Sequence, residues 1–116
     1  MEMKTKTMIV NHSEGLTTLQ LAAMATSKAT SLNDVAGMEI TVSSWAEYVR
    51  EDGENKTIFL VIKDVEGNYY STISKSFIQS FSAFVDLMCD TSDFKVVVGK
   101  AKAKSGREFL TFSISE

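Results

Sequence analysis

The chain has 116 residues, 44% hydrophobic and 23% charged, with 15 acidic side chains against 12 basic ones for a net charge of −3. This is too apolar for a disordered segment and long enough for one domain with a sizeable core. The acidic balance excludes a histone-like hold on nucleic acid by bulk charge, so any such binding needs a local basic patch. One cysteine, Cys89, cannot form an internal disulfide, and one histidine, His12, leaves little for a zinc site.

Residues 1–12 hold an apolar run far too short for a signal peptide, and nowhere do about 18 apolar residues run together. The chain therefore reads as soluble and cytoplasmic, with no membrane partner. It contains no proline and 6 glycines, which argues against stiff linkers between domains. No repeat of solenoid length is present.

Residues 16–32 are rich in Ala, Ser and Thr. Leu16, Leu19, Ala23 and Met24 have loose helical spacing, so a short helix is expected over 17–26. The Ser/Thr run that follows weakens it, because those side chains compete for backbone hydrogen bonds. Residues 1–33 are read as an arm that packs only in part, and 34–116 as the folded domain.

From residue 38 to 45 apolar and polar residues alternate with period two, which predicts a half-buried strand. Residues 50–55 are polar and supply a loop. Residues 57–63 are apolar on both parities and predict a central strand. Residues 64–68 carry turn chemistry, and 69–73 form the return strand. Ser74 is a candidate N-cap for a helix in which Phe77, Phe81, Phe84, Val85 and Met88 make an apolar stripe, with Gln79, Ser82 and Asp86 opposite. Residues 90–93 stop that helix. A strand over 94–103, a tight turn at 104–107 and a closing strand over 108–114 complete the chain.

Three strands, a helix and two more strands is the element order of the OB-fold, a five-stranded Greek-key barrel, with the helix plugging one open end. An SH3-like barrel has no need of a long helix there, and a ferredoxin-like fold needs two helices placed differently. The expected fold class is mainly β: an OB barrel with one helix between strands three and four, plus the arm or short helix.

Catalytic constellations are scarce. His12 has no second histidine to form a metal pair, and Cys89 has no nearby base, so it reads as a small hydrophobe. Glu51, Asp52 and Glu54 cluster in a loop, where solvation explains them. The Walker and dinucleotide-binding glycine motifs are absent. No cofactor, metal site or enzymatic activity is expected.

The basic residues are organised differently. Lys95, Lys100, Lys102, Lys104 and Arg107 lie in the last two strands and their turn, opposed locally by Glu108. Lys100, Lys102 and Lys104 share parity, so an extended backbone projects them to one face. Phe94, Val96 and Val98 have the same parity and belong to the core, a conflict that a bulge at Gly99 would resolve by turning Ala101 and Ala103 inward. Leu110, Phe112 and Ile114 fit the interior, leaving Phe109 exposed beside the lysines. Trp45, Tyr48, Phe59, Tyr69 and Tyr70 add aromatic surface from the first three strands; Trp45 ends its strand where burial and ligand contact are equally available, and one of Tyr69 and Tyr70 faces out. Aromatic rings that stack bases and lysines that track phosphates are what single-strand binding uses. The bland alternative is a soluble edge whose lysines resist strand pairing.

Residues 32–37 lead into the first strand, Glu66-Gly67-Asn68-Tyr69-Tyr70-Ser71-Thr72 make a turn and strand, Ser74-Lys75-Ser76-Phe77-Ile78 open the helix, and Lys104-Ser105-Gly106-Arg107-Glu108-Phe109 make the last hairpin. In these stretches the chain resembles the OB-fold single-stranded DNA-binding proteins of bacteriophages. The resemblance implies non-catalytic, sequence-independent coating of replication or recombination intermediates. Lys100, Lys102, Lys104 and Arg107 would then contact phosphates, while Phe109, Trp45 and Tyr69 or Tyr70 stack on bases. Replication or recombination proteins and a second copy of the chain are further partners to consider. The competing class is a protein-binding module, such as a phage accessory or inhibitor factor, docking through Leu16, Leu19 and Met24.

Overall fold

The computed structural model describes residues 5–13, 15–88 and 94–115. In chain order these form β1 (Thr5–His12), α1 (Thr18–Thr26), β2 (Thr30–Ser31), a 3-10 turn (Leu32–Val35), β3 (Glu39–Asp52), β4 (Asn55–Asp64), β5 (Tyr69–Thr72), α2 (Lys75–Met88), β6 (Phe94–Lys102) and β7 (Glu108–Ser115). The protein is mainly β. Its strands make one curled, mixed sheet in the order β2-β5-β4-β3-β6-β7, with β1 also paired to β3. The pairings are antiparallel except the short parallel contact of β2 with β5. No helix among the described residues is long and apolar enough to cross a membrane.

β3 organises the sheet. β4 runs along one of its edges, while the other is shared between β6, opposite Glu39 to Val42, and β1, opposite Ala46 to Asp52. The change of partner coincides with a register shift between Val42 and Ser44. An extra residue bends a strand and increases its twist, which is how one strand serves two directions of a curling sheet.

The inner face and α2 enclose the main core, built from residues such as Ile40, Val42, Leu60, Ile62, Val96 and Val98. Ser74 starts α2 as its sequence suggests: its hydroxyl accepts from the Phe77 N–H at 3.4 Å and its carbonyl from the Ile78 N–H at 3.0 Å. Phe77 and Phe81 are fully buried, and Phe112 meets both edge-on, with centroids 5.6 and 5.8 Å away. Such pairs add about 0.5–1.5 kcal/mol beyond their buried area.

A second core lies on the outer face of β3 and β4. Leu21 and Met24 of α1 pack there on Ala46, Tyr48, Phe59 and Val61. The Tyr48 hydroxyl donates to the Leu21 carbonyl at 2.6 Å, tying helix to sheet. Burial pushes the Tyr48 pKa up to about 12. α1 opens with a capping box, in which Thr17 Oγ1 accepts from the Gln20 N–H and Gln20 Oε1 accepts from the Thr17 N–H.

Three sequence expectations are corrected here. The described residues hold seven strands where five were expected, because β1 and β2 join the sheet from the stretch read as an arm. The polar stretch 50–55 is mostly strand: Asp52 pairs with Asn55 across a turn of only Gly53 and Glu54. These strands project past the cores, so polar side chains are acceptable on both faces while the backbones pair with each other and with β1. Finally, β3 is buried on both faces around residues 45–48, because α1 covers the side expected to face water. The stop at residues 90–93 and Cys89 lie outside the described residues.

Candidate nucleic-acid interface

The hairpin of β6 and β7 is paired without interruption from Lys95↔Ser115 to Lys102↔Glu108. No bulge occurs at Gly99, which corrects the sequence expectation. Val98 and Lys100 are on the same side, but the strand outruns the core between them: Val98 is fully buried and Lys100 exposed. Gly99 has another reason to be glycine. A Cβ there would stand 2.5 Å from Thr111 Oγ1 on the paired strand.

The hairpin closes through a loop in which the Gly106 N–H donates to the Ala103 carbonyl and the Ala103 N–H to the Arg107 carbonyl, each at 2.9 Å. Gly106 has φ of +86°, the left-handed residue that a three-residue hairpin loop requires. This hydrogen-bonded tip carries Lys104 and Arg107, and the adjoining strand ends carry Lys100 and Lys102. All four are exposed. Among the described residues none is in an ion pair, whereas Lys95 lies 3.5 Å from Glu39. Four cations against the Glu108 carboxylate leave this end at about +3 in a chain of net charge −3.

Phe109 is 41% exposed. It pairs with Ala101, so it stands on the opposite face of the ribbon from Lys100 and Lys102, which pair with Leu110 and Glu108. A ligand that meets both sets must pass around the hairpin.

The other aromatic candidates lie elsewhere, and Tyr48 and Phe59, expected to add aromatic surface, are buried because α1 packs on that face. Trp45 is only 7% exposed and meets Phe81 edge-on at 5.5 Å inside the main core. Tyr70 is 6% exposed, and its hydroxyl donates to Asp64 Oδ2 at 3.4 Å. Both point inward because the parity of β3 past its bulge, and of β5, places them on the α2 side, which corrects the expectation that Trp45 offers a surface ring. Tyr69, of opposite parity, is half-buried beside the outer core, with Lys63 Nζ 6.0 Å from its ring centroid.

Asp64 orders the β4–β5 turn beside Tyr70. Burial pushes its pKa up, but donors from the Asn68 backbone and side chain, the Glu66 backbone and the Tyr70 hydroxyl outweigh that and hold it below the usual carboxylate range. The same pairing acts oppositely on Tyr70, whose pKa is raised by burial and then by the Asp64 charge.

Sequence reasoning missed a second feature. A groove of about 410 Å³ opens on the outer face, between the segment after α1 and strands β4 and β5. Its charged lining residues are Lys28 and Arg50, with Asn33 and several hydroxyls between them and no carboxylate. The Arg50 guanidinium sits over the Phe59 ring, 4.9 Å from its centroid. Lys28 and Arg50 are 22 positions apart, one in the segment after α1 and one in β3, so only the packing of α1 shows that they line the same groove.

The family model described as Phage Single-stranded DNA-binding protein matches this chain over residues 7–115. No curated protein and no solved structure matches it significantly.

Proposed function

The chain belongs to the phage single-stranded DNA-binding protein family, and from that premise we propose that it coats single-stranded DNA without sequence preference during phage DNA replication or recombination. The observation that carries the reading is the β6–β7 hairpin: four exposed cations on its loop and strand ends, none in an ion pair among the described residues, with an exposed phenylalanine on the other face of the ribbon, in an otherwise acidic protein. Lys100, Lys102, Lys104 and Arg107 take phosphates. Phe109 stacks on a base as the strand passes around the hairpin, and Tyr69 offers a second, partly covered ring. Stacking contributes about 1–3 kcal/mol per base and tolerates any sequence. Binding of this kind is electrostatic and non-catalytic, and it weakens as salt rises.

We read the sheet as an OB-type barrel. β3, β4, β5, β6 and β7 stand for its five strands, α2 occupies the interval between the third and fourth, and β1, α1 and β2 are additions to it. The shared outer edge of β3 and the order β5-β4-β3-β6-β7 support this. The hairpin then corresponds to the loop between the fourth and fifth strands, one of the two loops with which OB-folds meet oligonucleotides.

Docking on a protein through Leu16, Leu19 and Met24 finds less support. Met24 is buried and Leu16 half-buried against the outer core, which leaves Leu19, 83% exposed, without apolar company from the other two. One exposed leucine is ordinary for a soluble surface.

The test is fluorescence anisotropy of a labelled oligo-dT at low and moderate salt, with duplex as competitor. Saturable binding that salt weakens and duplex does not displace is expected. Absence of binding even at low salt refutes the proposal.

A further inference from the structure

The outer-face groove presents two cations, Lys28 and Arg50, the second backed by an aromatic ring. Its wall is fixed by backbone structure rather than by the ligand. The Ser27 hydroxyl donates to the Met24 carbonyl at 2.8 Å, Thr30 and Ser31 pair with Tyr70 and Ser71 of β5, and Ser31 Oγ accepts from the Asn33 N–H at 3.3 Å. The negative end of α1 faces this region, where the Ala22 carbonyl accepts from Thr26 Oγ1 and the Met24 carbonyl from the Ser27 hydroxyl. On the opposite wall Arg50 is held by Phe59, which itself stacks on Tyr48 at a centroid distance of 5.0 Å. Among the described residues neither Arg50 nor Lys28 is in an ion pair.

A guanidinium lying on an aromatic ring keeps its outer plane free for a nucleobase, and its edge free for a phosphate oxygen. The volume, about 410 Å³, falls low in the range of small-ligand clefts, about 300–1,000 Å³, so it suits one nucleotide unit and not a duplex. Asn33 and the hydroxyl lining supply donors and acceptors, and no carboxylate lies in the lining to repel a phosphate, so the two cations face only the partial charge of the α1 C-terminus.

We infer that this groove seats one nucleotide of the bound single strand, its base against the Arg50 guanidinium and its phosphate between Arg50 and Lys28. The inference rests on the single-strand reading above and extends it to a second contact area that shares no residue with the β6–β7 hairpin. It also gives α1 a function, since the helix and the segment after it create the groove on what would otherwise be an open sheet face.

The test compares the wild-type chain with Lys28→Gln, Arg50→Gln and the hairpin variant Lys102→Gln/Lys104→Gln. Oligo-dT affinity is measured across a salt series, and amide shifts of ¹⁵N-labelled wild-type protein are followed as oligo-dT or thymidine monophosphate is added. Each groove variant is expected to flatten the salt dependence by about 0.7 in log–log slope and to weaken binding about fivefold at 0.1 M salt, the counterion-release share of one phosphate contact. Oligo-dT is expected to shift the amides of Ser27 to Asn33, Thr57 and Ser71.

Unchanged slopes in both groove variants, or still amides at those positions, overturn the inference while loss of binding in the hairpin variant leaves the single-strand reading standing. Shifts with the monophosphate but not with the oligonucleotide also overturn it, because the groove would then serve free nucleotides. No oligo-dT binding by the wild-type chain refutes the single-strand reading itself, and the inference with it.

Discussion

Replacing Lys102 and Lys104 by glutamine tests the hairpin as a phosphate-binding device. Both side chains are exposed and neither is in an ion pair among the described residues, so their loss leaves no buried partner unsatisfied. Surface changes of this kind alter stability by less than about 0.5 kcal/mol, and the melting temperature should stay put. Binding should respond strongly. If Lys100, Lys102, Lys104 and Arg107 each hold one phosphate, they contribute a log–log salt slope of about −2.8, and raising salt from about 50 to 200 mM costs about 50-fold in affinity through them alone. Removing two of the four flattens the slope by about 1.4 and weakens binding about 25-fold at 0.1 M salt. The difference in slope is the diagnostic quantity, because contacts elsewhere on the protein cancel from it. The assay is fluorescence anisotropy of labelled oligo-dT titrated at four or five salt concentrations with both proteins. An unchanged slope with unchanged affinity refutes the phosphate role and assigns the lysines to protection of the sheet edge. That alternative has its own signature, increased self-association of the variant in sedimentation, since edge lysines discourage strand pairing between molecules.

Phe109→Ala should weaken oligo-dT binding by about 1–3 kcal/mol while leaving the salt slope unchanged, because stacking releases no counterions. Trp45→Phe should behave oppositely, lowering stability in a denaturant titration and leaving affinity intact; reduced affinity at full folding would contradict the burial of Trp45. Asp64→Asn should cost about 1.5–3 kcal/mol at pH 7, the range for hydrogen bonds to a charged acceptor. Because the folded state lowers the Asp64 pKa, its contribution is present above the unfolded aspartate range and disappears as pH falls through the folded value. Urea titrations from pH 7 downward should therefore show the gap between variant and wild type closing, and a pH-independent gap would count against the network. Gly99→Ala should destabilise by about 1–3 kcal/mol through overpacking on the Thr111 hydroxyl. Thr111→Ala in the same chain should recover most of that, a coupling that a double-mutant cycle measures.

The elements from residue 38 onward were legible in the sequence because their cues are local. Ser74 and the phenylalanine stripe define α2, Asp64 to Asn68 define a turn, and Gly106 closes the last hairpin. Residues 5–33 were harder to read. β1 has few apolar positions and draws its order from pairing with the far half of β3, a partner some 40 residues away. The weak amphipathicity of α1 understated it as well. Its two buried residues, Leu21 and Met24, are only three positions apart, and the helix is held by a capping box and by the Tyr48 hydroxyl, which no periodicity reports.

Parity identified the exposed lysines but for the wrong reason, and the difference bears on where a strand can lie. The bulge assumed at Gly99 keeps the alternation of inside and outside valid along all of β6 by changing its phase. The paired register instead runs straight through, and alternation simply loses its meaning where the core ends, between Val98 and Lys100. With a bulge, Lys100, Lys102 and Phe109 could share an outer surface. Without it, the lysines continue the inner face and Phe109 occupies the other. Phosphates and a stacked base can then be held together only by a chain able to turn within a nucleotide or two at the hairpin. Single-stranded DNA bends that sharply and a duplex does not, with its persistence length of about 50 nm. Under the proposed binding mode, the uninterrupted register at Gly99 therefore gives a geometric reason, independent of charge, why oligo-dT should outcompete duplex at the hairpin.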